Sequence, residues 1–176
     1  LTEKDEKVLG FFGRMKPPLR TQQDVATLWE NLDVVDTIGS DHAPHTIEEK
    51  KSDKPPFGVP GLETTLVLLL TAVAEGRMTM EQLVKLTSTN PAKIFGLRQE
   101  EGSYVEVDLK ERQVIKNGEL HTKCGWSPFA GKEVQGRVNS VYIRGTQVYD
   151  GENILVAPGF GRQLIFQDKC GKVDSR

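Results

Sequence analysis

Residues 37–64 read TIGSDHAPHTIEEKKSDKPPFGVPGLET: a short β-branched run, then an acid, two histidines and a proline, then a loop stiffened by Pro and Gly. Upstream of it, DVVDTIGS (33–40) reads as a short buried strand, with Val34, Val35 and Ile38 apolar and Gly39 and Ser40 marking its exit. An acid at the end of such a strand stands where α/β folds place ligands and chemistry, beyond the carboxyl ends of the strands. Neighbours in an extended chain face opposite ways, so Asp41 and His42 do not aim at one centre. Pro44 lacks an N–H and turns the chain, which lets His45 swing back over the strand end. The pair to consider is Asp41 with His45, and His42 supports structure.

A hard oxygen ligand beside a histidine suits a zinc-type hydrolytic site. There the carboxylate holds one metal and accepts a proton from metal-bound water, whose pKa the metal brings to about 7. In KPPFGVPG (54–61), Pro55, Pro56 and Pro60 fix the backbone while Gly58 and Gly61 permit close approach. Such a loop presents rigid main-chain donors and acceptors to a small planar ligand. The same string also reads as a polar loop whose aspartate caps a helix, and the residues alone leave both readings open. Contiguous Ser40, Asp41 and His42 do not converge into a nucleophilic triad. His121, Cys124 and Cys170 lack the paired spacing of a structural zinc site. Lys50, Lys51 and Lys54 read as a solvated loop, one of them able to attract an anionic substrate.

Around this stretch the chain is helical before residue 100 and β-rich after it. TQQDVATLWENL (21–32) is an amphipathic helix: Thr21 caps, Asp24 follows three residues on, and Val25, Leu28, Trp29 and Leu32 share a face. A second helix runs from Leu62 to Glu75 and stops at Gly76; a third opens on the Thr79/Gln82 capping box and reaches Leu86. Asn90-Pro91 opens a short fourth, stopped by Gly96. Beyond it, SYVEVDL alternates, and Asn117-Gly118, Arg144-Gly145 and Asp150-Gly151 mark turns between β-rich runs. The expected domains are an α/β segment over 1–100, an all-β segment over 101–160 and a tail or linker over 161–176. One parallel strand cannot bury both its faces, and a closed (β/α)8 barrel takes about 250 residues. The first hundred residues therefore read as one slice of a larger sheet.

The bulk properties exclude several classes. At 176 residues, 37% apolar and 27% charged, the chain can bury a core. A net charge of -2 and a pI near 6.0 offer nothing to nucleic acid or an anionic membrane. The longest apolar run, LVLLLTAVA (66–74), is about half of a membrane span. Two cysteines far apart make no disulfide framework, and the charged opening LTEKDEK is no secretory signal, so the chain reads as cytoplasmic.

Taken with KPPLRTQQD (16–24) before it and PPFGVPGLET (55–64) and TSTNPAKIFGL (87–97) after it, SDHAPH (40–45) resembles the dihydroorotases. Within that family it is most similar to the dihydroorotase domain of the animal multifunctional pyrimidine-synthesis proteins. The resemblance runs from residue 1 to about 160. It implies the C-terminal part of a (β/α)8 amidohydrolase (TIM) barrel, followed by β-strands of a β-sandwich. It also implies a binuclear zinc centre and the reversible cyclisation of N-carbamoyl-L-aspartate to L-dihydroorotate in pyrimidine biosynthesis. Asp41 matches a zinc ligand that is also the catalytic base and acid. His45 matches the histidine that binds the substrate carboxylate, and Phe57 and Gly58 fall where the loop backbone meets the dihydroorotate ring. The implied partner is that small molecule, with no nucleic acid or membrane, in a family that tends to homo-oligomerise.

The departures matter as much. The family's H-x-H pair, carboxylated lysine and two further histidines are not found among these 176 residues, which hold three histidines in all. The expectation is a chain that begins after the sixth-strand histidine and is inactive by itself. Lys16 stands where the bacterial motif carries Asn, as a basic residue does in the animal type. Two alternatives remain: another cyclic amidohydrolase of the dihydropyrimidinase or allantoinase type, and a non-catalytic truncated remnant.

Overall fold

The computed structural model describes residues 1–98 and 100–164. Most of the expected 161–176 tail lies outside the described residues.

Helix α1 (Glu3–Leu9) is an addition to the expectations; Thr2 N donates to Asp5 Oδ2 at 2.6 Å, a cap that the T-x-x-D spacing permits. Helix α2 (Gln22–Glu30) opens as anticipated: Asp24 N donates to Thr21 Oγ1 at 3.1 Å and Thr21 N to Asp24 Oδ2 at 3.0 Å. Of its apolar face, Trp29 packs on the core with Leu32 just beyond, whereas Leu28 is 56% exposed.

The predicted strand before Asp41 does not form a ladder. Leu32–Val34 is a 3-10 turn, and residues 35–40 are extended with no regular pairing. A strand needs a hydrogen-bonded neighbour on its flank, and the described residues provide none there. Instead Ile38 N donates to Leu86 O at 3.0 Å, and Asn90 Nδ2 donates to Asp36 O at 2.8 Å. Val35 and Ile38 still turn into the core, while Val34 is exposed.

After the short helix α3 (Ile47–Lys50) comes α4 (Leu62–Ala74), whose buried Leu69, Leu70 and Ala72 join Met78, Leu83 and Leu86 to form the core. Burying a side chain such as Leu70, 2% exposed, contributes about 1.5–3 kcal/mol. Helix α5 (Met80–Val84) opens on the Thr79/Gln82 box and passes through a π-turn at Lys85–Thr89 directly into α6 (Asn90–Phe95). Asn90 is therefore not an N-cap. Thr89 and Asn90 are both helical, which frees the Asn90 amide to hold the segment leading to Asp41. Gly96 ends α6 in a left-handed conformation.

The second half is an antiparallel meander of β1 (Tyr104–Val114), β2 (Glu133–Ile143) and β3 (Thr146–Tyr149). Arg144 and Gly145, with φ of 51° and 76°, make the two-residue turn between β2 and β3. The sheet packs against α4 through Gly136, where an added Cβ would lie 2.6 Å from Leu70 Cβ. Gln135 N donates to Thr71 Oγ1 at 2.9 Å across the same junction. None of the described helices is long and apolar enough to cross a membrane.

Candidate functional site

The backbone leaves the ordinary extended conformation at Asp41, three residues before Pro44. Asp41 has φ +44°, a left-handed conformation that costs a non-glycine residue of order 1 kcal/mol or more. Beyond the kink, His42 pairs in parallel with Val59, and Ala43 N donates to Val59 O at 3.1 Å. Pairing thus begins just after Asp41, on the far side of this kink. Asp41 is exposed, and among the described residues it has no hydrogen-bond or ion-pair partner.

His42 supports structure, as its facing predicts. Its Nδ1 accepts the backbone N–H groups of Gly61 and Leu62, both at 3.2 Å, at the start of α4. His45 faces the loop: its Nε2 donates to Phe57 O at 3.1 Å, and its Nδ1 lies 3.5 Å from Glu49 Oε2. The Thr46 backbone N–H, followed by the charge of His45, holds the Glu49 carboxyl below the usual carboxylate range. Asp41 and His45 are not bonded to each other.

The Pro-Gly loop closes over a buried cation. Lys50, expected in a solvated loop, is fully buried. Its ammonium donates to the carbonyls of Arg14 at 3.2 Å, Pro56 at 3.0 Å and Gly58 at 3.0 Å. Three carbonyls replace the water such a group needs, which is why it enters the interior without a carboxylate. Burial, and after it the neighbouring Arg14 charge, lowers its pKa from the ordinary lysine value. Trp126, 2% exposed, seals one side: its indole N–H donates to His45 O at 2.7 Å, and its ring lies 5.8 Å from Lys50 Nζ and edge-on to Phe12 at 4.9 Å.

Phe57, 42% exposed, is the outer face of this cluster, and Gly58 is buried behind it. The Phe57 ring carries the Arg14 guanidinium at 4.5 Å and the Lys16 ammonium at 4.4 Å from its centroid. Gly58, at φ +123°, donates its N–H to Arg14 O at 3.0 Å. An added Cβ there would lie 2.7 Å from Ala43 O, so a glycine is required both by conformation and by space. Arg14 and Lys16 thus place two cations on the exposed Phe57 ring, a charge pattern suited to an anionic ligand.

The structure brings His45, Phe57 and Gly58 into one bonded cluster. Asp41 stands just before that cluster in the chain, next to the residues that pair with Val59 of the loop, and is not bonded to it. Sequence reading missed Arg14, Trp126 and Lys50 as parts of the cluster; nothing in their local spacing announces contacts made across 36 or 81 residues.

The residues fit a resident metal at one corner only. A catalytic zinc takes about three protein ligands. No group of three or more His, Cys, Asp or Glu able to hold a metal occurs among the described residues. His121 is exposed at the far end of the α4–sheet junction, where its backbone N–H and that of Thr122 donate to the Glu63 carboxylate at 2.8 and 3.0 Å. Cys124 is a free thiol beside Thr122, and Cys170 lies outside the described residues.

No family model matches the chain. It is 51% identical over 165 residues, 93% of its length, to the multifunctional protein CAD of Squalus acanthias, of which it spans 7%. To the dihydroorotase of Pyrococcus furiosus it is 40% identical over 162 residues, covering 89% of this chain and 38% of that protein. The L-hydantoinase (dihydropyrimidinase) from Arthrobacter aurescens superposes with a TM-score of 0.89 at 31% identity, over 93% of this chain and 40% of the enzyme. The fold is thus that of part of an amidohydrolase barrel with its adjoining strands, and the chain spans well under half the length of each of these proteins.

Proposed function

We propose that this chain, a relative of the dihydroorotases and of the multifunctional CAD proteins along about nine-tenths of its length, forms part of a dihydroorotase. The reaction is the reversible ring closure of N-carbamoyl-L-aspartate to L-dihydroorotate, a step of pyrimidine synthesis. The observation that carries this reading is the unpaired, exposed Asp41 carboxylate, held at φ +44° beside a loop with cationic neighbours.

In the hydrolytic direction a water adds to the ring carbonyl carbon, and the carbon–nitrogen bond breaks. Asp41 takes a proton from that water and returns it to the departing amide nitrogen; ring closure runs the same transfers backwards. His45, Lys16 and Arg14 supply the positive side that the substrate carboxylate requires. For His45 this means exchanging its Nε2 contact with Phe57 O for the ligand. Phe57 offers its carbonyl, once His45 releases it, to the ring edge, and Gly58, whose N–H and C=O are held by Arg14 and Lys50, keeps the loop close against the site.

In the family this resemblance points to, the cofactor is a binuclear zinc centre, with Asp41 as one ligand. Asp41 alone does not hold such a centre. The chemistry of this chain is therefore that of its carboxylate and its loop, and the remaining ligands come from outside the described residues.

The likeness to an L-hydantoinase supports a second reading, a cyclic amide of the hydantoin or dihydropyrimidine type. A complete enzyme separates the two. The matched segment of the Pyrococcus furiosus dihydroorotase is replaced by residues 1–160 of this chain, and the chimera is assayed with dihydroorotate, dihydrouracil and hydantoin. Turnover of dihydroorotate is expected. Turnover confined to dihydrouracil or hydantoin, or none of any, contradicts the proposal.

A further inference from the structure

The buried Lys50 takes no part in the chemistry just described, yet it uses two of its three donors on the loop at the site and the third on Arg14 O beside it. Two of its partners are the carbonyls of Pro56 and Gly58, which flank Phe57. The loop bends at Phe57, and with the carbonyls on either side of it gathered on one ammonium, the Phe57 carbonyl is left to turn elsewhere. There it meets His45 Nε2 at 3.1 Å. The third partner, Arg14 O, also accepts the Gly58 N–H, so the same cation ties the segment that carries Arg14 and Lys16 to the loop. Trp126, bonded to His45 O, closes the cluster over the lysine.

We infer that Lys50 is a positioning residue: by clamping the carbonyls of Pro56 and Gly58 it sets the direction of the Phe57 carbonyl and thereby the orientation in which the His45 ring stands before the ligand binds. This rests on the reading of His45 and the loop as the substrate side of the site. Lysine suits the task because three donors diverge from one small head, whereas the planar fork of arginine spreads its donors too widely for three converging carbonyls. A neutral side chain would fill the space and leave the carbonyls without direction.

The test uses the full 176-residue chain and measures no activity, so failure of the proposed reaction does not decide it. The readouts are nitrogen NMR of the His45 ring and amide exchange at Gly58, with Leu69 and Leu70 of α4 as internal reference. In Lys50→Met the His45 Nε2 signal is expected to lose its hydrogen-bonded signature, and Gly58 exchange to accelerate at least about tenfold, as loss of anchoring hydrogen bonds predicts, with α4 unchanged. Lys50→Gln, which retains one donor group, serves if the methionine variant does not hold its fold. Rescue completes the test. In a chain with Cys124 and Cys170 replaced by serine, Lys50→Cys alkylated with bromoethylamine regains a lysine-like ammonium, and both native signals should return. Unchanged His45 and Gly58 signals, changes shared equally by α4, or no recovery on alkylation would each overturn the inference.

Discussion

His42 Nδ1 accepts the Leu62 N–H at 3.2 Å, so the histidine next to Asp41 caps the start of α4, the longest of the described helices. The Gly61 N–H shares that acceptor at the same distance. Two of the orphan amides at the start of α4 are satisfied by a side chain from the site, which couples the position of Asp41 to the core. His42→Ala should lower unfolding stability by about 1 kcal/mol, within the range for lost helix caps, as measured by urea denaturation. An unchanged midpoint would show that water replaces the imidazole without loss.

The helical half and the sheet depend on one another at Gly136. Its φ of +113° and the 2.6 Å approach to Leu70 Cβ leave no room for a methyl group. Gly136→Ala should cost about 2–4 kcal/mol, combining overpacking with backbone strain. Gly39→Ala, where no heavy atom lies within 4 Å, supplies the control and should shift the midpoint little. Equal effects of the two changes would mean that α4 and β2 are not packed as described.

Much of this was legible in the sequence, for identifiable reasons. The Thr21/Asp24 and Thr79/Gln82 caps and the Arg144-Gly145 turn are local devices, written in adjacent residues and found where they were expected. The strand before Asp41 was misread because Val34, Val35 and Ile38 carry strand propensity, whereas strand pairing depends on a neighbour elsewhere. Lys50 was misread for the converse reason. A lysine followed by Lys51, Ser52 and Asp53 looks solvated, and only the folded loop reveals that three carbonyls converge on its head. At the site, Asp41, His45, Phe57 and Gly58 were singled out from the string itself and from its likeness to a known family. The cations Arg14 and Lys16, brought to the Phe57 ring from 43 and 41 positions earlier, could not be placed there by spacing.

Acid should loosen the helix starts. Hydrogen bonds from Thr2, Thr21 and Thr46 hold the carboxyls of Asp5, Asp24 and Glu49 below their ordinary range. A depressed carboxyl pKa contributes stability that is present above the unfolded value and is lost as pH falls through the folded value. Helical circular dichroism with urea titrations from pH 7 to pH 2 should therefore show stability declining through and below the ordinary carboxylate range. The combined Asp5→Asn, Asp24→Asn and Glu49→Gln variant should have a shallower slope. An identical slope would mean that the caps do not carry the acid response.

Zinc binding by the chain alone should be weak. With no group of three donors able to hold a metal among the described residues, dialysis against micromolar zinc should leave well under about one ion per chain. Near-stoichiometric retention, with measurable hydrolysis of dihydroorotate, would mean that the chain assembles a centre by itself.

The central claim is that the Asp41 carboxylate moves the proton in a dihydroorotase-type reaction. The most direct measurement compares the Pyrococcus furiosus chimera carrying this chain's residues 1–160 with its Asp41→Asn counterpart, by initial rates of dihydroorotate hydrolysis at matched protein and metal content. An active parent and a loss of kcat of at least about 100-fold in the variant are predicted, the lower end for removal of a positioned acid-base group. A variant that retains kcat within about threefold of an active parent, well inside that loss, would contradict the assignment of Asp41.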